Sequence, residues 1–265
     1  KPFRRTDRFN HIGDTFREMI DLWEDAGYIK VIPTENLNPW VNGISNILLY
    51  DRPTYDWFIP SIMKYKLALF GNPNPPQDQS NTSPWIFWAR RPRLLEKYDH
   101  NILSYKERDI LSAFMGKIEN KTQHKNRTTH DWSTCMEIFE MPIKGEYKYT
   151  QEQYLQIMRR VKYGLCLPGF GGKCNREIEL MGLGVVPIFI PGVNRSYYNR
   201  LKKNVHYLFA RNPREVTEII KKCNKKIWTK MSNACHRWYH KNCSVKGSFH
   251  TTIEIIQKCY PKALE

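Results

Sequence analysis

The sequence predicts an α/β protein with two Rossmann-like domains and a cleft between them. Short buried runs, such as Asn46–Tyr50 and Tyr163–Leu167, alternate with amphipathic segments, such as 14–26 and Thr150–Val161. Strands that alternate with helices form parallel sheets. The alternation restarts near Asp109, so the chain of 265 residues has room for two such units.

Three segments follow from this pattern: an N-terminal domain at 1–107, a C-terminal domain at 108–245, and a last helix at 246–265 that packs back on the N-terminal domain. In the first domain we predict strands at Tyr28–Ile32, Asn46–Tyr50, Tyr65–Phe70 and Trp85–Ala89. In the second we predict strands at Ile110–Ile118, Cys135–Phe139, Tyr163–Leu167, Val185–Ile190 and Val205–Phe209, with a basic loop at Glu119–Thr129. We also predict a helix at Pro213–Lys222, which has Pro at its start.

A glycine-rich loop follows the strand Tyr163–Leu167. Gly169, Gly171 and Gly172 let the backbone turn sharply or approach a ligand closely. A helix begins directly after this loop, and in open α/β sheets ligands bind where strand ends meet helix N-termini. The segment therefore predicts a site for an anionic, hydroxyl-rich molecule.

The composition points to an anionic partner and to a reducing compartment. The formal net charge is +16, and thirteen Lys or Arg residues lie between Arg200 and Lys246 against two acids. Seven cysteines without CxxC spacing favour free thiols and a cytoplasmic location. No run of apolar residues is long enough to span a membrane.

Five short motifs occur in one order along residues 108–191. They are Ala113-Phe114-Met115-Gly116-Lys117, Arg127, Leu165-Cys166-Leu167-Pro168-Gly169, Arg176-Glu177-Ile178-Glu179 and Gly184-Val185-Val186-Pro187. In order and spacing they resemble the C-terminal half of the exostosin-type glycosyltransferases, family 47. The resemblance implies a GT-B fold and an inverting sugar transfer from a UDP-sugar to a glycan hydroxyl. The small size and the many aromatic and lysine residues resemble virus-encoded xylosyltransferases, which favours UDP-xylose and, for a viral chain, the host cytoplasm.

The resemblance also implies roles for the matching residues in the C-terminal domain, which would bind the nucleotide sugar. Arg176 is the candidate phosphate ligand at a helix start, and Glu179, one turn later, would accept the ribose hydroxyls. The other candidate donor-binding residues are Lys117, Arg127, Gly169, Gly171 and Gly172. Glu177 is expected to face solvent.

No metal or other cofactor is expected. The chain has no Asp-x-Asp sequence, the motif with which metal-dependent sugar transferases hold a cation against the diphosphate. Arginine, lysine and backbone N–H groups would then neutralise the diphosphate.

Inverting transfer needs a base, which we expect from the N-terminal, acceptor-binding domain. Asp51 is the candidate because it follows a buried strand. The alternatives are Asp14, Glu35, Asp56 and His100. Candidate acceptor-binding residues are Arg90, Arg91 and Trp57, with Arg93, Trp85 and Trp88 as further possibilities.

Other functions stay open on the sequence alone. The charge and the 13% aromatic content suit a nucleic-acid-binding protein, although no nucleic-acid-binding motif is present and no such partner is expected. A glycan-binding module without activity is the other alternative. Cys235, His236, His240 and Cys243 resemble a zinc site only weakly, because their spacing fits no usual one.

Overall fold

A computed structural model describes residues 10–30, 47–50, 66–72, 74–76, 80–169 and 171–261. The helices are α1 (Asn10–Asp25), α2 (Pro92–Asp99), α3 (Lys121–Thr128), α4 (Gln151–Arg159), α5 (Asn175–Gly182), α6 (Pro213–Lys222), α7 (Lys225–Asn242) and α8 (Val245–Cys259). The strands are β1 (Ile47–Tyr50), β2 (Leu67–Phe70), β3 (Thr82–Pro84), β4 (Ile110–Met115), β5 (Glu137–Glu140), β6 (Val161–Cys166), β7 (Val186–Phe189) and β8 (Leu208–Phe209). None of the described helices is long and apolar enough to cross a membrane.

The strands form two parallel sheets, as predicted. The first has the order β1-β2-β3, and the second has the order β5-β4-β6-β7-β8. In the second sheet β7 is buried along its whole length, and β4 and β6 are buried at all but one position each. Central parallel strands are covered on both faces, which explains why these segments read as continuous apolar runs.

The second sheet has a topological switch point between β4 and β6. From β4 the chain moves outward to β5 and then returns to β6 on the other side of β4. Successive connections therefore leave this pair of strands in opposite directions, and a crevice opens at their carboxyl ends. Met115 and Cys166 are the last residues of these strands, so the motifs that follow them meet at one edge.

Three predicted segments differ from the structure. Residues 28–30, the described part of the expected strand Tyr28–Ile32, form no strand, and Tyr28 stacks instead on Phe249 of α8 at 4.8 Å between ring centroids. The expected basic loop Glu119–Thr129 contains helix α3, because the Asn120 side chain caps it by accepting a hydrogen bond from the backbone N–H of Gln123. The expected strand Trp85–Ala89 is buried but lies just beyond β3. Apolar character alone did not separate a buried strand from a buried irregular segment.

The last helix, α8, packs against α1 at the other end of the chain. The indole Nε1 of Trp23 in α1 donates a hydrogen bond to Ser248 Oγ at 2.9 Å. Trp85 Nε1 donates to Thr252 Oγ1 at 2.8 Å. Both serine and threonine are buried, so these bonds satisfy indole N–H groups that water does not reach.

Replacing Ser248 by Ala is expected to lower the free energy of unfolding by about 1–3 kcal/mol, because the buried Trp23 N–H loses its acceptor. Urea unfolding followed by tryptophan fluorescence measures this change. The exposed Ser80 provides the matched control, and S80A is expected to change stability by less than about 0.5 kcal/mol. Equal stability of S248A and S80A would contradict the assigned role of the hydrogen bond.

Candidate functional site

A cleft of about 640 Å³ opens at the switch point. Its walls come from both parts of the chain: Asn72, Phe87, Trp88, Arg90 and Arg91 on one side, and residues between Met115 and Glu179 on the other. This volume is in the range that binds small organic ligands. The cleft therefore lies beside the glycine loop and the start of α5.

Arg176 lies in the first turn of α5, beside the carboxyl ends of β4 and β6. Its Nε and Nη2 donate to the carbonyl oxygen of Met115 at 3.1 and 2.8 Å, and its Nη1 lies 3.4 Å from that of Leu167. Its guanidinium also stacks on the Phe114 ring, 4.5 Å from the centroid. These contacts fix the planar group and account for three of its five N–H donors.

Arg127 reaches the same place from the last turn of α3. It donates through Nε to Pro168 O at 3.3 Å and through Nη1 to Lys117 O, and it is 4% exposed. Burial, with Arg176 close by, lowers the pKa of Arg127 to about 10. Neither guanidinium forms an ion pair within the described part of the chain. The cleft therefore contains two neighbouring guanidinium groups, and no described carboxylate is in ion-pair contact with either, although Glu177 and Glu179 are close enough to interact with Arg176 electrostatically.

Gly116 makes this arrangement possible. A Cβ at this position would lie 2.5 Å from Arg176 Nη2, 2.7 Å from the Phe114 ring and 3.1 Å from Arg127 Nη1. The two guanidinium groups thus converge on the space that a side chain would occupy. The sequence places Gly116 within the family-like motif, but only the structure explains why a glycine is needed.

The glycines of the loop have different neighbours. A Cβ on Gly169 would clash with Cys174 Sγ, one on Gly171 with the side chain of Asn72, and one on Gly172 with Asn194. Gly169 and Gly171 line the cleft, whereas Gly172 packs away from it against Asn194. Close approach of neighbouring groups, more than turn geometry, explains these glycines.

Lys173 ties the glycine loop to the first sheet. Its Nζ donates to Gly71 O, just after β2, and to Ser196 O at 2.8 Å, and the side chain is 2% exposed. Burial lowers the pKa of Lys173 to about 7. The ammonium therefore fixes the loop across the cleft.

Glu179 joins the two walls. Its Oε1 accepts from the backbone N–H of Arg90 at 3.0 Å and from Gln151 Nε2 at 2.9 Å. Glu179 is 3% exposed. Burial raises the pKa of its carboxyl, and the hydrogen bond from the backbone N–H of Arg90 is the main effect that lowers it. The carboxylate lines the same cleft as Arg176, one helical turn away.

Three further cations stand at the mouth of the cleft. Lys117 Nζ pairs with Glu119 at 2.7 Å and lies over the ring of Tyr147, and the Arg90 guanidinium lies over the same ring. Arg91 pairs with Glu18 of α1 at 3.3 Å. Arg90 and Arg91 are exposed and Lys117 is partly buried, so this group of cations is suited to attracting an anion to the cleft.

Some of the predicted residues do not enter this picture. Asp51 and Trp57 lie outside the described residues, as do Asp14's side chain, Glu35 and Asp56. His100 is described but lies at the far end of α2 from the cleft. Trp85 and Trp88 are at most 1% exposed and pack in the core, and Trp88 only borders the cleft, so neither ring offers an open face for a sugar to stack on.

The expectation that Glu177 faces solvent is wrong. Glu177 is completely buried, and its Oε2 accepts from the backbone N–H of Cys174 at 2.7 Å in a capping box. Its Oε1 has no hydrogen-bond partner among the described residues, and burial raises the pKa of the carboxyl to about 7. Helical periodicity put Glu177 on a different face of the helix from Arg176 and Glu179, but it could not show that the rest of the protein covers that face.

Glu177 should make stability depend on pH. Its pKa in the folded state exceeds the ordinary 4.5, so the folded protein holds the proton longer, and stability is lost as pH rises from about 4.5 to 7. E177Q keeps the capping acceptor but does not titrate. Relative to wild type, E177Q is therefore expected to gain up to about 3 kcal/mol of unfolding free energy between pH 5 and 8.

Urea unfolding at these two pH values measures the gain. The exposed Glu146 supplies the control, since E146Q should follow the wild-type profile. A constant difference between E177Q and wild type across this range would show that Glu177 is ionised in the folded protein at both pH values.

Sequence reasoning missed several residues of the cleft. Asn72, Lys173 and Gln151 carry polar groups into it, and Tyr147 and Tyr149 line it. Their types and spacing gave no signal, because they come from separate loops and helix starts that only the folded chain brings together. Only Lys173 had a feature in the sequence that could have indicated it, namely its position inside the glycine loop.

No family model matches the chain, and no curated protein matches it. Among solved structures, the chain is similar to a glycosyltransferase from Rickettsia africae ESF-5, with a TM-score of 0.52 and 10% identity, over 98% of this chain and 84% of that one. The protein has the GT-B fold. The C-terminal domain of a group 1 glycosyl transferase from Francisella tularensis also aligns, with a TM-score of 0.35 and 7% identity, over 57% of this chain and 92% of that one.

Proposed function

We propose that the protein is an inverting glycosyltransferase that moves a sugar from a UDP-sugar to a glycan hydroxyl. The observation that carries this proposal is the pair of guanidinium groups, Arg127 and Arg176, at the switch point of the second sheet. The two fixed cations repel each other and have no ion-pair contact with a carboxylate among the described residues, and a diphosphate bound between them would offset that repulsion. The GT-B fold, shared with the Rickettsia glycosyltransferase, supports the same reading.

Glu179 supports a nucleotide as the ligand. In the proposed complex the diphosphate contacts Arg127 and Arg176, with Lys117 nearby, and the ribose hydroxyls donate to Glu179. Gly169 and Gly171 let the donor approach the backbone of the loop. Arg90 and Arg91, across the cleft, are proposed to contact the acceptor, with Trp57.

The transfer is proposed as a single displacement. The acceptor oxygen attacks the anomeric carbon while its proton passes to a carboxylate base, and the bond from that carbon to the phosphate oxygen breaks, so UDP leaves with the electron pair. An α-linked donor then gives a β-linked product. Asp51 remains the proposed base because it directly follows β1. The last residue of β1, Tyr50, pairs with Phe70 of β2, and Asn72, two residues after Phe70, lines the cleft.

The arginines supply the positive charge that the leaving diphosphate needs, so we propose catalysis without a metal ion. UDP-xylose is the favoured donor only because of the resemblance to virus-encoded xylosyltransferases. The test is a thermal-shift screen of nucleotide sugars followed by UDP-release assays in EDTA. One UDP-sugar is expected to raise the melting temperature selectively, and UDP should be released when acceptor glycan is added. Activity that appears only with added Mn²⁺ or Mg²⁺ would contradict metal independence.

A second outcome would replace the proposal. If no nucleotide stabilises the protein and single-stranded oligonucleotides bind with a steep dependence on salt, the net charge serves nucleic-acid binding. Binding of oligosaccharides without UDP release would instead identify a glycan-binding module.

D51N is expected to abolish transfer while leaving UDP affinity within twofold of wild type.

A further inference from the structure

A second groove, of about 540 Å³, lies at the other end of α2 from the donor cleft. Arg90 and Arg91 precede the start of α2, and Asp99 and His100 are at its end. Eight residues of helix separate the two places by roughly 12 Å. The groove and the donor cleft share no lining residue and are therefore distinct sites.

Asp99 is an unusual carboxylate in this groove. It is 1% exposed, and its oxygens face the Tyr239 hydroxyl and three histidines without a well-formed hydrogen bond to any described residue. The closest ion-pair partner is His100 Nε2, 3.4 Å from Oδ1, on a side chain that is 77% exposed. A buried carboxylate without good partners is costly, so this site is suited to a cation.

Two histidines of α7 converge on the same residue. His236 Nε2 lies 2.5 Å and His240 Nε2 3.2 Å from the backbone oxygen of Asp99, and the two nitrogens are 2.9 Å apart. The His100 and His240 rings stack with their centroids 5.9 Å apart. One ligand atom each from Asp99, His100 and His240 lies within 4.8 Å of the others.

We propose that Asp99, His100 and His240 bind a divalent transition-metal ion such as Zn²⁺, which joins the end of α2 to α7. Imidazole nitrogen and carboxylate oxygen are the ligands that zinc takes in proteins, and three of them leave a fourth position for water. The exposed His100 side chain can rotate to close the site. Glu96 and Glu254 also line the groove and offset the charges of Lys241 and Lys246 there.

The cysteines next to these histidines in the sequence do not take part. Cys235 is fully buried and its Sγ points to the backbone oxygen of His206 at 2.9 Å, and Cys243 is also buried. The proposed site shares only His240 with the four residues whose spacing fitted no usual zinc site, and its other ligands, Asp99 and His100, lie about 140 residues earlier.

The test is a titration of the EDTA-treated, dialysed protein with ZnCl₂ and CoCl₂. We expect one equivalent of Zn²⁺ per chain by calorimetry and a melting temperature about 5 °C higher at a hundredfold excess over the dissociation constant. H100A and H240A should each reduce metal affinity at least tenfold. H100A removes an exposed side chain, so it tests the site without disturbing the core.

H250A is the matched control, since His250 lines the same groove but lies outside the cluster, and it should bind Zn²⁺ as wild type does. Absence of binding in the wild-type protein would overturn the proposal. So would unchanged affinity in H100A and H240A, or a thiolate-to-cobalt charge-transfer band, which would place the metal on cysteines. UDP affinity should be the same with and without bound Zn²⁺. The zinc titration therefore tests the metal site separately from the proposed transferase activity.

Discussion

Replacing Arg176 by Ala is expected to weaken UDP binding by about 100-fold. The variant loses charge-assisted hydrogen bonds to a phosphate, which contribute about 2–3 kcal/mol, and each 1.4 kcal/mol changes the dissociation constant tenfold. Calorimetric titration with UDP in EDTA measures the change. R176K, which keeps the charge but lacks the planar fork, should bind with intermediate affinity.

R176A also removes the hydrogen bonds that Arg176 donates to the backbone of Met115 and Leu167. The melting temperature without ligand must therefore be measured beside the affinity, so that loss of folding is not read as loss of binding. R160A is the control, because Arg160 precedes β6 at the opposite edge of the sheet and pairs with exposed Asp109. If R176A binds UDP as tightly as R160A does, Arg176 has only the structural role of pinning strand ends.

Gly116→Ala is expected to reduce UDP affinity at least as much as R176A does. The new Cβ would stand 2.5 Å from Arg176 Nη2 and 3.1 Å from Arg127 Nη1, so both guanidinium groups must move. Because the Phe114 ring at 2.7 Å is displaced too, the free energy of unfolding should fall by about 1–3 kcal/mol. UDP titration and urea unfolding measure the two effects separately.

G145A is the matched substitution, since a Cβ there would lie 3.3 Å from Pro142 Cβ. Both changes restrict the unfolded chain equally, so their difference reports on the folded protein alone. G145A should leave UDP affinity unchanged. Wild-type affinity in G116A would show that the two arginines do not need to converge for the nucleotide to bind.

Much of the second domain could be predicted from the sequence. The buried runs after Asp109 gave the positions of β4, β6 and β7, and the prediction of Pro213–Lys222 as a helix matches α6. These elements are strongly marked because central parallel strands are apolar on both faces and because Asn212 and Pro213 begin the helix clearly. The weakly marked α3 was missed, since its polar sequence has no apolar face to reveal it.

In the candidate site, too, the sequence predicted some residues and missed others. Arg176 and Glu179 were predicted because a glycine loop and a helix start stand beside them in the chain, whereas Arg127 was predicted from the resemblance of its motif to the exostosin-type family. The burial of Glu177 and the Lys173 contact with Gly71 were not, because each depends on which surface another segment covers. Periodicity identifies a helix face but does not identify its neighbour.

The sequence by itself determined the fold class, the glycine loop and the types of charged groups that follow it, because hydrophobic period and turn residues act locally. Only the tertiary structure decided that Arg127 and Arg176 meet over Gly116, and that His240 lies beside Asp99 instead of the cysteines. These pairings join residues about 50 and 140 positions apart. Their geometry follows from the order of strands in the sheet and the packing of α7 near the end of α2, and no local pattern encodes either.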